Sequence, residues 1–178
     1  WVTATDLLVV ALARALAEVP ELNGINASDG PRTGSRVNLA LAVAGPDGVV
    51  APVMRDASGR DLGDVAVERA RLVDAARTGT LDRADLAGGT ITLSNLGALP
   101  VDFFTPVIAG PQIVMVAVGR AREVPVARDG MLGVGRTMWT NVAIDHRAAD
   151  GEAGGRLLAA LERAIAELPS LIPHGDVR

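Results

Sequence analysis

Cysteine, tyrosine and lysine are all missing from this 178-residue sequence, and aromatic side chains make up only 2% of it. Without cysteine there is no thiolate nucleophile and no cysteine-bound zinc. Nothing ties the chain to an oxidising compartment, so the cytoplasm is the expected location. Without tyrosine there is no phenolic acid. Every one of the 17 Lys+Arg positions is an arginine, which excludes a Schiff-base lysine, a P-loop with its phosphate lysine and a lysine general base. Long apolar runs are also missing. Leu7 to Ala13 stops at Arg14, far short of the roughly 20 residues of a membrane-spanning helix. It has neither the basic flank nor the cleavage site of a signal peptide, so no membrane association is expected. A formal net charge of −4, with the arginines scattered, argues against a nucleic-acid partner.

What is present is a globular composition, 49% hydrophobic and built from Ala, Val, Leu and Gly, of a length suited to one domain over residues 1–178. A helix is predicted over residues 5–18, capped by Thr5 or Asp6 and stopped by Pro20; it is apolar almost all round and therefore buried. Residues 23–35, rich in Asn, Gly, Ser and Asp, read as a loop. Val37, Leu39, Leu41 and Val43 alternate with smaller or polar residues, and Gly45-Pro46-Asp47-Gly48 turns the chain into a return strand over 49–53. A helix follows at 61–78, striped by Leu62, Val65, Arg69, Leu72, Val73 and Ala76. Strands are predicted from Ile91 to Ser94, over 112–119, and at 124–128 and 131–145. A last helix over 152–168 turns Leu157, Leu158, Leu161, Ile165 and Leu168 inward. The mixture points to an α+β domain with helices packed on one side of a mixed sheet.

Two histidines remain as agents for acid–base chemistry near neutral pH. His174 lies in a turn-like tail four residues from the end. His146 lies in Asp145-His146-Arg147-Ala148-Ala149-Asp150-Gly151, where a strand gives way to a helix. Two histidines make no metal site, and neither belongs to an H-E-x-x-H pattern. Spacing alone leaves two readings open: a functional His146–Asp150 pair, or a helix cap at Asp150 beside a core histidine. A second string, Gly88-Gly89-Thr90-Ile91-Thr92-Leu93-Ser94-Asn95-Leu96-Gly97, places a hydroxyl at a strand end. That hydroxyl is either a donor to developing negative charge or ordinary turn chemistry.

Together and in this order, the two strings resemble the dihydrolipoamide acyltransferase family. So do Phe104-Thr105-Pro106-Val107-Ile108 with Pro111-Gln112, the Gly48-Val49-Val50-Ala51-Pro52-Val53 strand, and Val19-Pro20-Glu21-Leu22-Asn23. The likeness runs from about residue 2 to 172.

The resemblance implies a chloramphenicol acetyltransferase-like two-layer sandwich, a mixed sheet covered by helices, assembled as a homotrimer with active sites between subunits. The activity it implies is acyl transfer between dihydrolipoyl-lysine and coenzyme A. His146 is then the base, Ser94 the oxyanion donor and Asp150 the residue that orients the site, while Asn95, Thr92 and Phe104 line the substrate and coenzyme A path. No metal is called for. A lysine-free chain cannot carry the lipoyl group, so a lipoyl domain elsewhere is an expected partner, with the decarboxylase and dihydrolipoamide dehydrogenase components. Family domains begin with a further helix and strands, so an N-terminal part is expected to be absent, and no lipoyl or linker domain is expected in this chain. Family members often end in an apolar segment that joins trimers into larger cores; Leu168 to Ile172 fits it only in part. The acyl group leans to branched-chain or acetyl, since no cation is evident for a succinyl carboxylate. The competing reading from another class is a non-catalytic structural core subunit. A chloramphenicol-type acetyltransferase, which shares H-x-x-x-D-G, lacks the Ser-Asn-x-Gly and Phe-Thr-Pro blocks in this arrangement.

Overall fold

The computed structural model describes residues 1–168. Three long helices, α1 (Ala4–Glu18), α2 (Leu62–Thr78) and α3 (Gly151–Glu167), accompany eleven short strands. The strands are β1 (Gly24–Ala27), β2 (Gly30–Thr33), β3 (Leu39–Leu41), β4 (Val43–Gly45), β5 (Gly48–Val50), β6 (Val53–Met54), β7 (Ile91–Asn95), β8 (Val114–Val118), β9 (Arg122–Arg128), β10 (Met131–Thr137) and β11 (Thr140–Ile144).

Five of them form the main sheet in the order β11-β8-β7-β3-β6. Its inner neighbours, β3 with β7 and β7 with β8, run parallel; the outer pairs are antiparallel. Strand β8 lies second from the edge, and its Val114, Val116 and Val118 are buried, as β-branched residues in a covered sheet should be. Side chains alternate across the sheet. On β7, Ile91 and Leu93 therefore join the hydrophobic core while Thr92 and Ser94 face the other way. The helices supply the rest of that core, with α1 packed against both α2 and α3. This is one helical layer on one sheet face, as the mixture of predicted strands and helices implies.

The predicted helices form, with shifted ends. α2 starts at Asp61, whose carboxylate accepts from Asp64 N at 2.8 Å, and stops at Gly79 in the left-handed region at φ 70°. Leu157 and Leu161 of α3 and Leu168 just after it are buried, but Leu158 faces outward at 37% exposure. The cap of α1 is Thr3, not Thr5 or Asp6. Asp6 is instead its reciprocal partner, accepting from Thr3 N at 2.6 Å and Thr3 Oγ1 at 2.8 Å. The same carboxylate, with no exposed surface, accepts from Arg69 Nε of α2 at 2.7 Å. One buried anion thus closes the first turn of α1 and fastens α2 to it.

Three strand expectations are corrected. Residues 23–35 are not a loop: β1 and β2 form a hairpin with Ala27 opposite Gly30. Its polar composition concealed it, because neither strand has an apolar face to bury. The strand expected over 37–43 breaks after Leu41, so that β3 stays in the main sheet while β4 pairs with β5 across Pro46-Asp47. Ala40, on the face of β3 opposite Leu39 and Leu41, is as buried as they are. The long strand expected over 131–145 is two strands. β10 pairs with β9 in a separate hairpin, and after Met138-Trp139 the chain enters the main sheet as β11.

Removing the buried anion while leaving its cation behind costs about 3 kcal/mol or more. Asp6→Ala is therefore expected to lower stability by roughly that amount in urea unfolding.

Candidate active site

The D-H-R string begins where β11 ends. Asp145 N donates to Ile113 O at 2.8 Å, extending the ladder by one residue, and Ala148 N and Ala149 N then donate to Asp145 O at 2.9 and 3.2 Å. The chain is thereby folded into a tight turn with His146 at its tip. The Asp145 side chain holds the same turn from within. Its Oδ1 accepts from Arg147 N at 3.1 Å and Arg147 Nε at 2.9 Å, while Oδ2 accepts from Arg147 Nη2 at 2.7 Å. Oδ2 also accepts from Asn26 Nδ2 of β1 at 3.0 Å. The Arg147 guanidinium, then the Asn26 amide and the Arg147 backbone N–H, hold the Asp145 carboxyl below the usual carboxylate range, so it is anionic at neutral pH.

His146 is exposed and makes no hydrogen bond among the described residues. It lines an open cleft of about 340 Å³ together with Asn26, Ile108, Pro111, Gln112 and Arg147. Asp150, four residues on, caps α3: its Oδ1 accepts from Ala153 N at 3.0 Å. Asp150 and His146 share no hydrogen bond. His174 and the segment after Leu168 lie outside the described residues.

Ser94 lies at the other end of the sheet. It is 8% exposed, and its hydroxyl has no hydrogen-bond partner among the described residues. Asn95 shapes the turn that follows: its Oδ1 accepts from Gly97 N at 2.8 Å and its Nδ2 donates to Thr5 Oγ1 at 3.0 Å. Thr92 is buried, its hydroxyl donating to Gln112 Oε1 at 2.5 Å. Phe104 is half-buried, and its carbonyl accepts from Asn141 Nδ2 at 3.2 Å. Gly119 admits the nearby loop against the end of β8, since a Cβ there would lie 1.9 Å from Asp102 O.

The register separates the two principal groups. Ser94 pairs with Ala117, and Ala117 with Asn141. From Asn141 the chain runs on to Ile144, about 10 Å at 3.3 Å per residue, before the His146 turn begins, and β8 adds two strand spacings of about 4.8 Å across the sheet. One chain therefore brings His146 together with Asn26, Gln112 and Asp145, but not with Ser94. Among the described residues no cluster of three or more His, Cys, Asp or Glu could hold a metal.

Asn26 and Gln112 were missed as site residues. Gln112 belongs to the Pro-Gln string and could have been found there, whereas Asn26 carries no sequence signal, being 119 positions from the carboxylate it grips.

Residues 1–172 match the family described as 2-oxoacid dehydrogenases acyltransferase (catalytic domain). The chain belongs to that family. Among its relatives is the lipoamide acyltransferase component of the branched-chain alpha-keto acid dehydrogenase complex of Pseudomonas aeruginosa, 36% identical over 96% of this chain and 40% of that protein. The chain spans about two fifths of the length of the curated relatives it matches. Among solved structures, the dihydrolipoamide acetyltransferase of Azotobacter vinelandii superposes with a TM-score of 0.90 at 29% identity, covering 96% of this chain and 71% of that one. In that enzyme the roles of a serine, a histidine and an asparagine in the catalytic mechanism have been investigated. A chloramphenicol acetyltransferase matches with a TM-score of 0.53 at 20% identity, over 90% of this chain and 77% of that one; it shares the fold. The α+β, chloramphenicol acetyltransferase-like architecture of this acyltransferase-family domain is therefore established.

Losing a side-chain cap of this kind costs about 1 kcal/mol. Asp150→Ala is expected to lower the denaturant midpoint accordingly, with the slope of the transition unchanged.

Proposed function

We propose that this chain is the catalytic domain of a dihydrolipoamide acyltransferase, moving an acetyl or branched-chain acyl group between dihydrolipoyl-lysine and coenzyme A. The observation that carries the reading is the D-H-R turn, in which a carboxylate, a guanidinium and an amide from another strand hold in an open cleft one imidazole that makes no hydrogen bond among the described residues. The spacing of the Azotobacter residues supports it. Serine and histidine there stand 52 positions apart, as Ser94 and His146 do, and the asparagine follows the histidine by four, where this chain has Asp150.

Free thiols have a pKa near 8.5 and are mostly protonated at neutral pH. His146 accepts the proton of the attacking thiol, and the thiolate adds to the thioester carbonyl. The oxygen becomes anionic and receives a hydrogen bond from a Ser94 hydroxyl. Collapse of the tetrahedral centre expels the second thiolate, which recovers the proton from His146. Since Ser94 and His146 of one chain stand at opposite ends of the sheet, the pair that reacts comes from two protomers, consistent with a homotrimer. Asp150 supports the loop through its cap of α3. Asn95 sets the Ser94 turn, Thr92 anchors Gln112 behind the cleft, and Phe104 borders the path to Ser94. The lipoyl group must arrive on another domain or chain, because this one has no lysine. The decarboxylase and dihydrolipoamide dehydrogenase components complete the set of partners.

An assay with acyl-CoA and free dihydrolipoamide tests the reading. The protein is expected to transfer the acyl group, and His146→Ala to lower kcat by about 100-fold or more without altering the oligomer seen by sedimentation. A protein that assembles but transfers nothing is a structural core subunit instead. Mixing His146→Ala with Ser94→Ala subunits, followed by unfolding and reassembly, is expected to restore part of the activity that neither variant has alone; no recovery would place both groups in one protomer.

A further inference from the structure

We propose that Asn26 is a positioning residue for His146, a role that rests on reading His146 as the base. Of the groups among the described residues that hold the Asp145 carboxylate, Arg147 belongs to the same turn and moves with it, whereas Asn26, at 3.0 Å, comes from a distant segment. An ionised carboxylate offers acceptors alone, so the amide must turn an N–H towards it.

Asn26 is itself fixed. Its backbone N–H donates to Pro111 O at 2.7 Å, and its neighbour Ile25 bridges to Gln112. The β1–β2 hairpin, the segment before β8 and the histidine turn are thus joined at one amide, and all three border the cleft. The imidazole is exposed and makes no hydrogen bond of its own among the described residues, so its position follows that of the turn backbone. Without the tether, the Asp145–Arg147 pair persists and the turn stays anchored at its start by the Asp145 N–Ile113 O bond, but its side-chain link to the β1 wall of the cleft is lost and the residues beyond Asp145 shift. A displacement of about 1 Å between reacting groups costs up to 100-fold in rate.

The test uses Asn26→Ala and Asn26→Asp in the intact protein, with two readouts: steady-state transfer and the imidazole NMR signal of His146, assigned by its loss in His146→Ala. Asn26→Ala is expected to lower kcat about 10- to 100-fold with the KM for each substrate within twofold, and to shift or broaden the His146 signal. Asn26→Asp sets a second carboxylate against Asp145 and is expected to lose more. A KM rise that accounts for the loss, wild-type kcat in both variants, or an unmoved His146 signal would overturn the proposal. Should the wild-type protein transfer nothing, the acyltransferase reading fails, while the imidazole signal still decides whether Asn26 sets that side chain. If Asn26→Ala fails to fold, Asn26→Ser, which keeps a donor on a shorter arm, is expected to shift the signal in the same direction.

Discussion

Everything at the candidate site depends on the position of β8 between β7 and β11. A strand paired in parallel on one side and antiparallel on the other sends its neighbours' C-terminal ends in opposite directions. Strand β7 delivers Ser94 to one end of the sheet, and β11 delivers the histidine turn to the other. No side-chain rotation closes that gap, because it is set by the backbone ladders of β7, β8 and β11. Under the proposed function the reacting pair must come from two copies, and the separation behind that follows from hydrogen-bond register rather than from any surface feature.

The two ends of the site are built by different means. At the serine end, a buried strand runs into an Asn-fixed turn, and rigidity comes from the core beneath it. At the histidine end only Ala148 and Ala149 of the turn reach the core, and backbone bonds at Asp145 are reinforced by charge. An ionised Asp145 gathers a guanidinium, a backbone N–H and an amide, and charge-assisted bonds of this kind are stronger than neutral ones. Asp150 shows how a structural and a chemical reading coexist. It caps α3, and that cap fixes where the helix starts and hence where the turn carrying His146 must end.

Helices were legible in the sequence because their signals are local: the stripe from Leu62 to Ala76 marks α2, and Asp150 opens α3. The Gly45–Gly48 turn was legible for the same reason. Strands whose identity depends on a distant partner were not. The β1–β2 hairpin lacks an apolar face, and the break at Met138-Trp139 is a choice between two sheets that no single segment encodes. The same divide runs through the site. His146, Ser94 and Asp150 stood out by residue type and order, as did the family they point to. Asn26 did not, because an asparagine in a polar stretch acquires meaning only when the fold brings a carboxylate to it.

The cation in every ion pair described above is a guanidinium, and under the proposed function this has a chemical consequence, since the domain would meet activated acyl groups. An ε-amine near a thioester is slowly modified whenever it sheds its proton, losing its charge and its partner with it. Guanidinium groups stay protonated across the physiological range and are poor nucleophiles. The contacts that fasten α2 to α1, and the histidine turn to itself, are therefore made from side chains that stray acyl donors leave intact.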